Sequence, residues 1–109
     1  MVTRPRRDEV WLVALDPVIG SEIQKTRPCV VISPDEINDE LLTVIVAPMT
    51  STIRPYPFRV KISFQGKAGQ VAVEQSRAIS LQRMVRKLGA VSAKAALEIS
   101  SVLLEMFRR

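Results

Sequence analysis

The stretch Val10-Trp11-Leu12-Val13-Ala14-Leu15 decides how the chain is read. It is short and almost continuously apolar, and Asp16-Pro17 breaks it off at once. Six residues are too few for a typical helix, so the run reads as a strand buried on both faces. Downstream, Val30-Val31-Ile32 is β-branched and reads as a second strand. Residues 41–46 form a third, and Phe58-Arg59-Val60-Lys61-Ile62 alternates apolar and basic, as a strand with one wet face does. Gln65-Gly66-Lys67-Ala68-Gly69 reads as a turn, residues 70–74 as another strand, and Ala78-Ile79-Ser80 as an extension of the ladder. Residues 81–87 carry no readable pattern.

Two helices complete the reading. Ser33 is expected to cap a short one through Pro34, Asp35, Glu36 and Ile37, ended by Asn38-Asp39. Ser92 is expected to cap a longer one over residues 93–107. There Ala96, Ile99, Leu103 and Met106 share a face, with Val102 and Phe107 beside them. Trp11, Phe64 and Phe107 are expected in the core, and residues 1–9 as a loose charged lead-in. Several short strands followed by one C-terminal helix predict a single mainly β, α+β domain over residues 1–109: a small, strongly bent antiparallel barrel or sheet with the helix packed on it.

Composition narrows the chemistry. The chain has 109 residues, 47% of them apolar and 25% charged, which is ordinary globular usage. Sixteen Lys and Arg against eleven Asp and Glu give a net charge of +5, a modest lean toward polyanions. The single cysteine, Cys29, excludes an internal disulfide and reads as a reduced core thiol, with the cytoplasm as the expected location. Arg4, Arg6 and Arg7 are followed by no apolar h-region, so no signal peptide is expected, and no run is long enough to span a membrane. There is no histidine. That excludes Ser-His-Asp and Cys-His nucleophilic sites and RNA cleavage by a histidine pair, and it removes the commonest zinc ligand.

The chemistry-bearing residues concentrate in two polar stretches at strand ends. One is Gly20-Ser21-Glu22-Ile23-Gln24-Lys25-Thr26-Arg27-Pro28, and the other is Ala47-Pro48-Met49-Thr50-Ser51. Gly20 frees the backbone for a tight turn, and Pro28 biases Arg27 toward an extended conformation. Cleaving RNA requires taking a proton from the 2′-hydroxyl, stabilising a charged phosphorane and protonating the leaving oxygen. Arg27 can clamp a phosphate with its planar fork, Thr50 can donate to a phosphoryl oxygen, and Glu22 can accept a proton or orient Arg27. Ser21, Lys25 and Ser51 flank them. Gln75 and Arg77 follow a strand end, where Gln can read a base edge and Arg can hold phosphate. Tyr56 and Phe58 follow the Thr50 stretch and suit base stacking. Arg59, Lys61 and the cluster Arg83, Arg86 and Lys87 read as solvated faces. The competing reading makes both stretches ordinary surface loops, with Arg27 in an ion pair worth under ~1 kcal/mol.

The ordered set Val10-Trp11-Leu12-Val13, Asp16-Pro17, Gly20-Ser21-Glu22, Arg27-Pro28, Val30-Val31-Ile32-Ser33-Pro34, Asn38, Pro48-Met49-Thr50, Tyr56-Pro57-Phe58, Glu74-Gln75 with Arg77, and the C-terminal helix resembles the MazF/PemK toxin family over nearly the whole chain. The resemblance implies an SH3-like barrel of five to seven strands, assembled as a homodimer. It implies a metal-independent, cofactor-free endoribonuclease that cuts single-stranded RNA at a short sequence by 2′-hydroxyl attack, leaving a cyclic or 3′-phosphate and a 5′-hydroxyl. Arg27 and Thr50 then stand at the family's catalytic positions, and the implied partner is a small acidic antitoxin that blocks RNA. The loop departs from the family's usual Gly-Ser-Glu-Gln-Gly pattern, reading Ile23-Gln24-Lys25-Thr26, and Ala78-Ile79-Ser80 replaces a frequent Ile-Asp. Two alternatives remain at this stage. One is a non-enzymatic toxin of the same barrel that binds a protein target such as DNA gyrase, although such toxins lack the Arg-Pro and Thr pair. The other is a plain basic RNA-binding barrel.

Overall fold

The structure is a computed structural model, and it describes residues 4–15, 20, 22, 23 and 25–109. The strands are β1 (Glu9–Ala14), β2 (Thr26–Val31), β3 (Thr43–Thr50), β4 (Arg59–Phe64), β5 (Lys67–Ala72), β6 (Arg77–Ser80) and β7 (Met84–Ala90). The helices are α1 (Asp35–Glu40), after β2, and α2 (Ala93–Phe107), at the C-terminus. All strand pairs are antiparallel, in the order β4-β5-β3-β2-β1-β7, with β6 also paired to β3. The sheet curls into a half-barrel. Its two end strands approach where the Gln65 side chain donates to the Leu88 carbonyl at 3.3 Å and the Phe64 ring lies against Gly89.

The continuous apolar runs of β1 and β2 arise because both faces of these strands are covered, whereas in β3 Thr43 and Ile45 face solvent. On one face Trp11, Val13, Cys29, Val31, Val46 and Ile79 pack inside the curl. On the other, Val10, Val30, Ala47, Val60 and Val71 pack under Ile99 of α2, with Val102 and Leu103 alongside. Ser92 caps α2 as expected, its Oγ accepting from the Ala95 amide at 3.1 Å. Phe107 does not join the core: it is 75% exposed at the last helical residue, beyond the reach of the sheet.

Several expectations are corrected. The Ser33 hydroxyl does not cap α1; Pro34 holds that position, and Ser33 Oγ instead donates to Asn38 Oδ1 and accepts from the Ile45 amide. The third strand starts at Thr43 and continues through Pro48 to Thr50, where a loop was expected, because β2 and then β5 supply its partners. The turn after β4 is only Gln65-Gly66, both with positive φ, the geometry of a two-residue hairpin. The following strand therefore starts at Lys67 and ends at Ala72, and residues 73–75 form a 3-10 turn. Residues 81–83 form another such turn, and Met84–Ala90 is a strand on β1. Residues 4–9 of the lead-in are not loose either. Arg4 donates to the carbonyls of Asn38 and Leu41, and Arg6 pairs with Asp35 and Asp39.

Glu9 ties β1 to β7. Its Oε2 pairs with Lys87 Nζ at 2.7 Å, and Oε1 accepts from the Arg6 amide and Trp11 Nε1. Burial alone pushes this carboxyl up. The hydrogen bonds from Lys87, Arg6 and Trp11 and the charge of Lys87 outweigh it, and the pKa ends below the ordinary value. A carboxyl depressed in the folded state contributes stability above its unfolded pKa and loses it as pH falls through the folded one. In acid titrations followed by denaturant unfolding, Glu9→Gln is therefore expected to flatten the loss of stability below about pH 4.3. An identical acid limb in both proteins would show that Glu9 is not coupled to the fold.

Candidate active site

Arg27 enters the site from β2, opposite Val13, and Thr50 ends β3, opposite Gln70. The Arg27 guanidinium reaches across to β3, where Nη1 lies 3.5 Å from the Met49 carbonyl. The two side chains line one cleft of about 490 Å³ together with Glu22, Arg54, Tyr56 and Gln75. Thr50 Oγ1 accepts from the Thr52 amide at 3.1 Å, which turns the chain out of β3 and leaves the hydroxyl hydrogen to donate elsewhere. Gly20, at the near end of the loop, has φ +66, as the expected tight turn requires.

The loop before β2 is fastened across the cleft. Gln75 Oε1 accepts from the Ile23 amide at 2.6 Å, so the residue expected to read a base also holds the segment that carries Glu22. Arg77 lies in a neighbouring cavity with Glu22 and Gln75, and its Nη1 donates to the Leu15 carbonyl at 3.3 Å. Tyr56 faces the cleft, whereas Phe58 stacks behind it, ring centroids 5.3 Å apart. Ser51 lines an adjoining cavity that shares Arg27 and Thr50 with the cleft. Lys25 is exposed just before β2, with φ +71, and lines neither cavity. Ser21 lies outside the described residues.

Arg59 overturns its reading as a solvated strand cation. Its side chain is 6% exposed, pairs with Glu74 at 2.6 Å and stands 5.2 Å from the Tyr56 ring centroid. Arg54, Arg59 and Glu74 therefore join the cleft, and no local pattern announces them. Glu74 lies fifteen residues from Arg59, so only folding reveals the pair. Among the cluster read as solvated, Arg86 is exposed and Lys87 pairs with Glu9, but Arg83 is partly buried and donates to the Ala14 carbonyl at 3.2 Å. The Cys29 thiol is buried in the core, and that burial pushes it up to about 12 against the pull of Arg27 and Arg77. It is a neutral core group at physiological pH rather than a nucleophile. Among the described residues, no three Cys, Asp, Glu or His side chains gather as metal ligands would.

The family model of PemK-like, MazF-like toxins of type II toxin–antitoxin systems matches residues 6–107. The chain belongs to this family. It is 38% identical over 108 residues to the endoribonuclease MazF9 of Mycobacterium tuberculosis, covering 90% of this chain and 92% of that one. It is 35% identical over 86 residues to the endoribonuclease toxin MazF of Escherichia coli K12, covering 78% and 77%. The fold matches a crystal structure of MazF from Deinococcus radiodurans with a TM-score of 0.86 at 24% identity, over 96% of this chain and 97% of that one. It also matches a MazE–MazF structure from the same organism with a TM-score of 0.79 at 21% identity, over 96% of each chain. The PemK/MazF architecture is thus present from β1 to α2. No described helix is long and apolar enough to cross a membrane.

Gly69 sets the position of Thr50. It lies in β5, and a Cβ there would stand 2.6 Å from the Thr50 carbonyl oxygen, so the two backbones cross closer than any side chain allows. Gly69→Ala is expected to displace the end of β3, costing about 1–3 kcal/mol in chemical denaturation and slowing any reaction that uses Thr50. Unchanged stability in this variant would mean that the crossing yields freely.

Proposed function

We propose that this chain, an RNA endonuclease of the PemK/MazF toxin family, cleaves single-stranded RNA at a short sequence without a metal. The 2′-oxygen loses its proton and attacks the adjacent phosphorus. The bond from phosphorus to the 5′-oxygen breaks, and that oxygen leaves with a proton. The products are a cyclic phosphate, which can open to a 3′-phosphate, and a 5′-hydroxyl. The observation that carries this reading is the convergence of Arg27 and Thr50 on one cleft from two different strands. A planar guanidinium fork and a hydroxyl donor together suit the charge that develops on the phosphoryl oxygens. Glu22, across the same cleft, is the group suited to take the proton or to hold Arg27 in line. Tyr56 and Gln75 line the same cleft, Ser51 and Arg77 line the cavities beside it, Phe58 lies behind Tyr56, and Lys25 stands just before β2. In this reading Tyr56 stacks an unpaired base, Phe58 backs it, and Gln75 and Arg77 brace the loop.

The proposed setting is cytoplasmic, where messenger RNA is found. The proposed partners are a second copy of this chain and an acidic antitoxin; structural neighbours have been solved in complex with a cognate antitoxin and as MazE–MazF. The gyrase-binding alternative gives no role to Arg27 and Thr50.

Single-turnover cleavage of a saturating single-stranded RNA in EDTA tests the reading. The wild type is expected to cut. Removing one such pre-organised donor typically costs about 3–4 kcal/mol, so Arg27→Ala and Thr50→Ala are expected to cut at least about a hundredfold more slowly. Both should bind RNA within about tenfold of wild type, since the donors act on the transition state. Arg27→Lys should fail as well, because a point charge does not replace the fork. Lys61→Ala, exposed on β4, is the control. Near-normal cutting by Arg27→Ala, or abolition by the chelator, would overturn the mechanism.

A further inference from the structure

Gln70 is an amide placed where a sheet ordinarily buries hydrocarbon. It lies in β5, opposite Thr50 on one side and Lys61 on the other, and it is 3% exposed. Burying an amide without partners costs roughly 2–7 kcal/mol. Here both ends of the amide are used. Its Oε1 accepts from the Arg54 backbone amide at 3.0 Å, and its Nε2 donates to the Arg54 carbonyl at 3.0 Å. These are the two bonds that a neighbouring strand residue would make. A side chain thus stands in for a strand and pins residues 51–58, which lie in neither helix nor strand. The pin is braced. Arg59 Nη1 donates to Gln70 Oε1 at 3.3 Å, Glu74 holds the other side of that guanidinium, and the guanidinium stands over the Tyr56 ring. Pro55 and Pro57 offer no amide hydrogens, so the segment has few other means of attachment.

We propose that Gln70 is a positioning residue for the substrate. Through the Arg54 backbone it holds residues 51–58 at the edge of the cleft, so that Arg54 and Tyr56 meet single-stranded RNA at a fixed distance from Thr50. This rests on the cleft of Arg27 and Thr50 being the cleavage site. Arg54 supplies a phosphate contact and Tyr56 a stacking face, and neither touches the scissile phosphate in this assignment. Losing Gln70 therefore weakens binding and spares the chemical step.

Two measurements test it, one independent of activity. Hydrogen exchange on the wild type should show the Arg54 amide protected, although it lies in an irregular segment. In Gln70→Leu that amide should exchange at least about tenfold faster, while the Ile32 amide, bonded to the Ile45 carbonyl, keeps its protection. In steady-state cleavage of single-stranded RNA, Gln70→Leu should raise KM about tenfold and leave kcat within about threefold. Gln70→Glu keeps the acceptor for the Arg54 amide and for Arg59 but loses the donor, and its KM should fall between the two. Should Gln70→Leu fail to fold, the wild-type exchange and Gln70→Glu decide. An Arg54 amide that exchanges like free peptide, a wild-type KM in both variants, or a loss confined to kcat would each overturn the proposal. If Arg27→Ala cleaves normally, the site reading falls instead, and the exchange result still reports whether Gln70 pins Arg54.

Discussion

Strand β3 is hydrogen-bonded on both edges, and at Val46 it pairs with Val31 of β2 and Arg77 of β6 at once. On the edge away from β2 its partner changes along its length, from β6 over residues 43–46 to β5 over residues 49–50. The 3-10 turn at residues 73–75 makes that change, where an unbroken strand would have kept the sheet open. The sheet curls at this joint, and the cleft opens there. Thr50 stands at the end of the shared strand, Glu74 and Gln75 lie in the turn, and Arg27 arrives from the opposite edge. The join of β3 to β5 is only two residue pairs long. Its support comes from outside the ladder, in the close crossing of Gly69 and Thr50.

The basic composition reads differently once the cations are placed. Arg4 and Arg6 fasten the N-terminal segment to α1, Arg59 is paired with Glu74, and Arg77 and Arg83 donate to backbone carbonyls near the end of β1. Much of the net charge of +5 thus serves the fold before it serves a polyanion. The charge on the cleft is local, at Arg27 and Arg54, beside the Arg59–Glu74 pair. The nearly buried Arg59 is also no simple stabiliser, because desolvating an ion pair offsets most of its attraction. Its value here is geometric: it orders Gln70, Glu74 and Tyr56 around one guanidinium.

With no histidine in the chain, the proton transfers of the proposed reaction fall to groups that are usually poor at them. Cys29 does not fill the gap, since burial keeps it protonated in the core. What remains at the cleft is a carboxylate, a hydroxyl and guanidinium groups held at set positions by strands and by Gln75. The proposed reaction relies on having such donors in place before charge develops.

The sequence by itself determined whatever depends on near neighbours. Apolar runs at 10–15 and 30–32 announced strands because both faces of those strands are buried, and Ser92 announced α2 because a cap is a three-residue interaction. The expectation that Arg27 and Thr50 stand at strand ends matches their places at the start of β2 and the end of β3. Tertiary structure decided the rest. Met84–Ala90 is a strand through its bonds to β1, although Val85, Arg86 and Lys87 are exposed and leave no burial pattern to read. Arg59 looked like a wet-face cation until Glu74 and Gln70 closed around it, and Gln70 had no legible role without Arg54 sixteen residues away. Hydrogen bonds and ion pairs between distant residues form only when the sheet curls, and the local chain carries no trace of them.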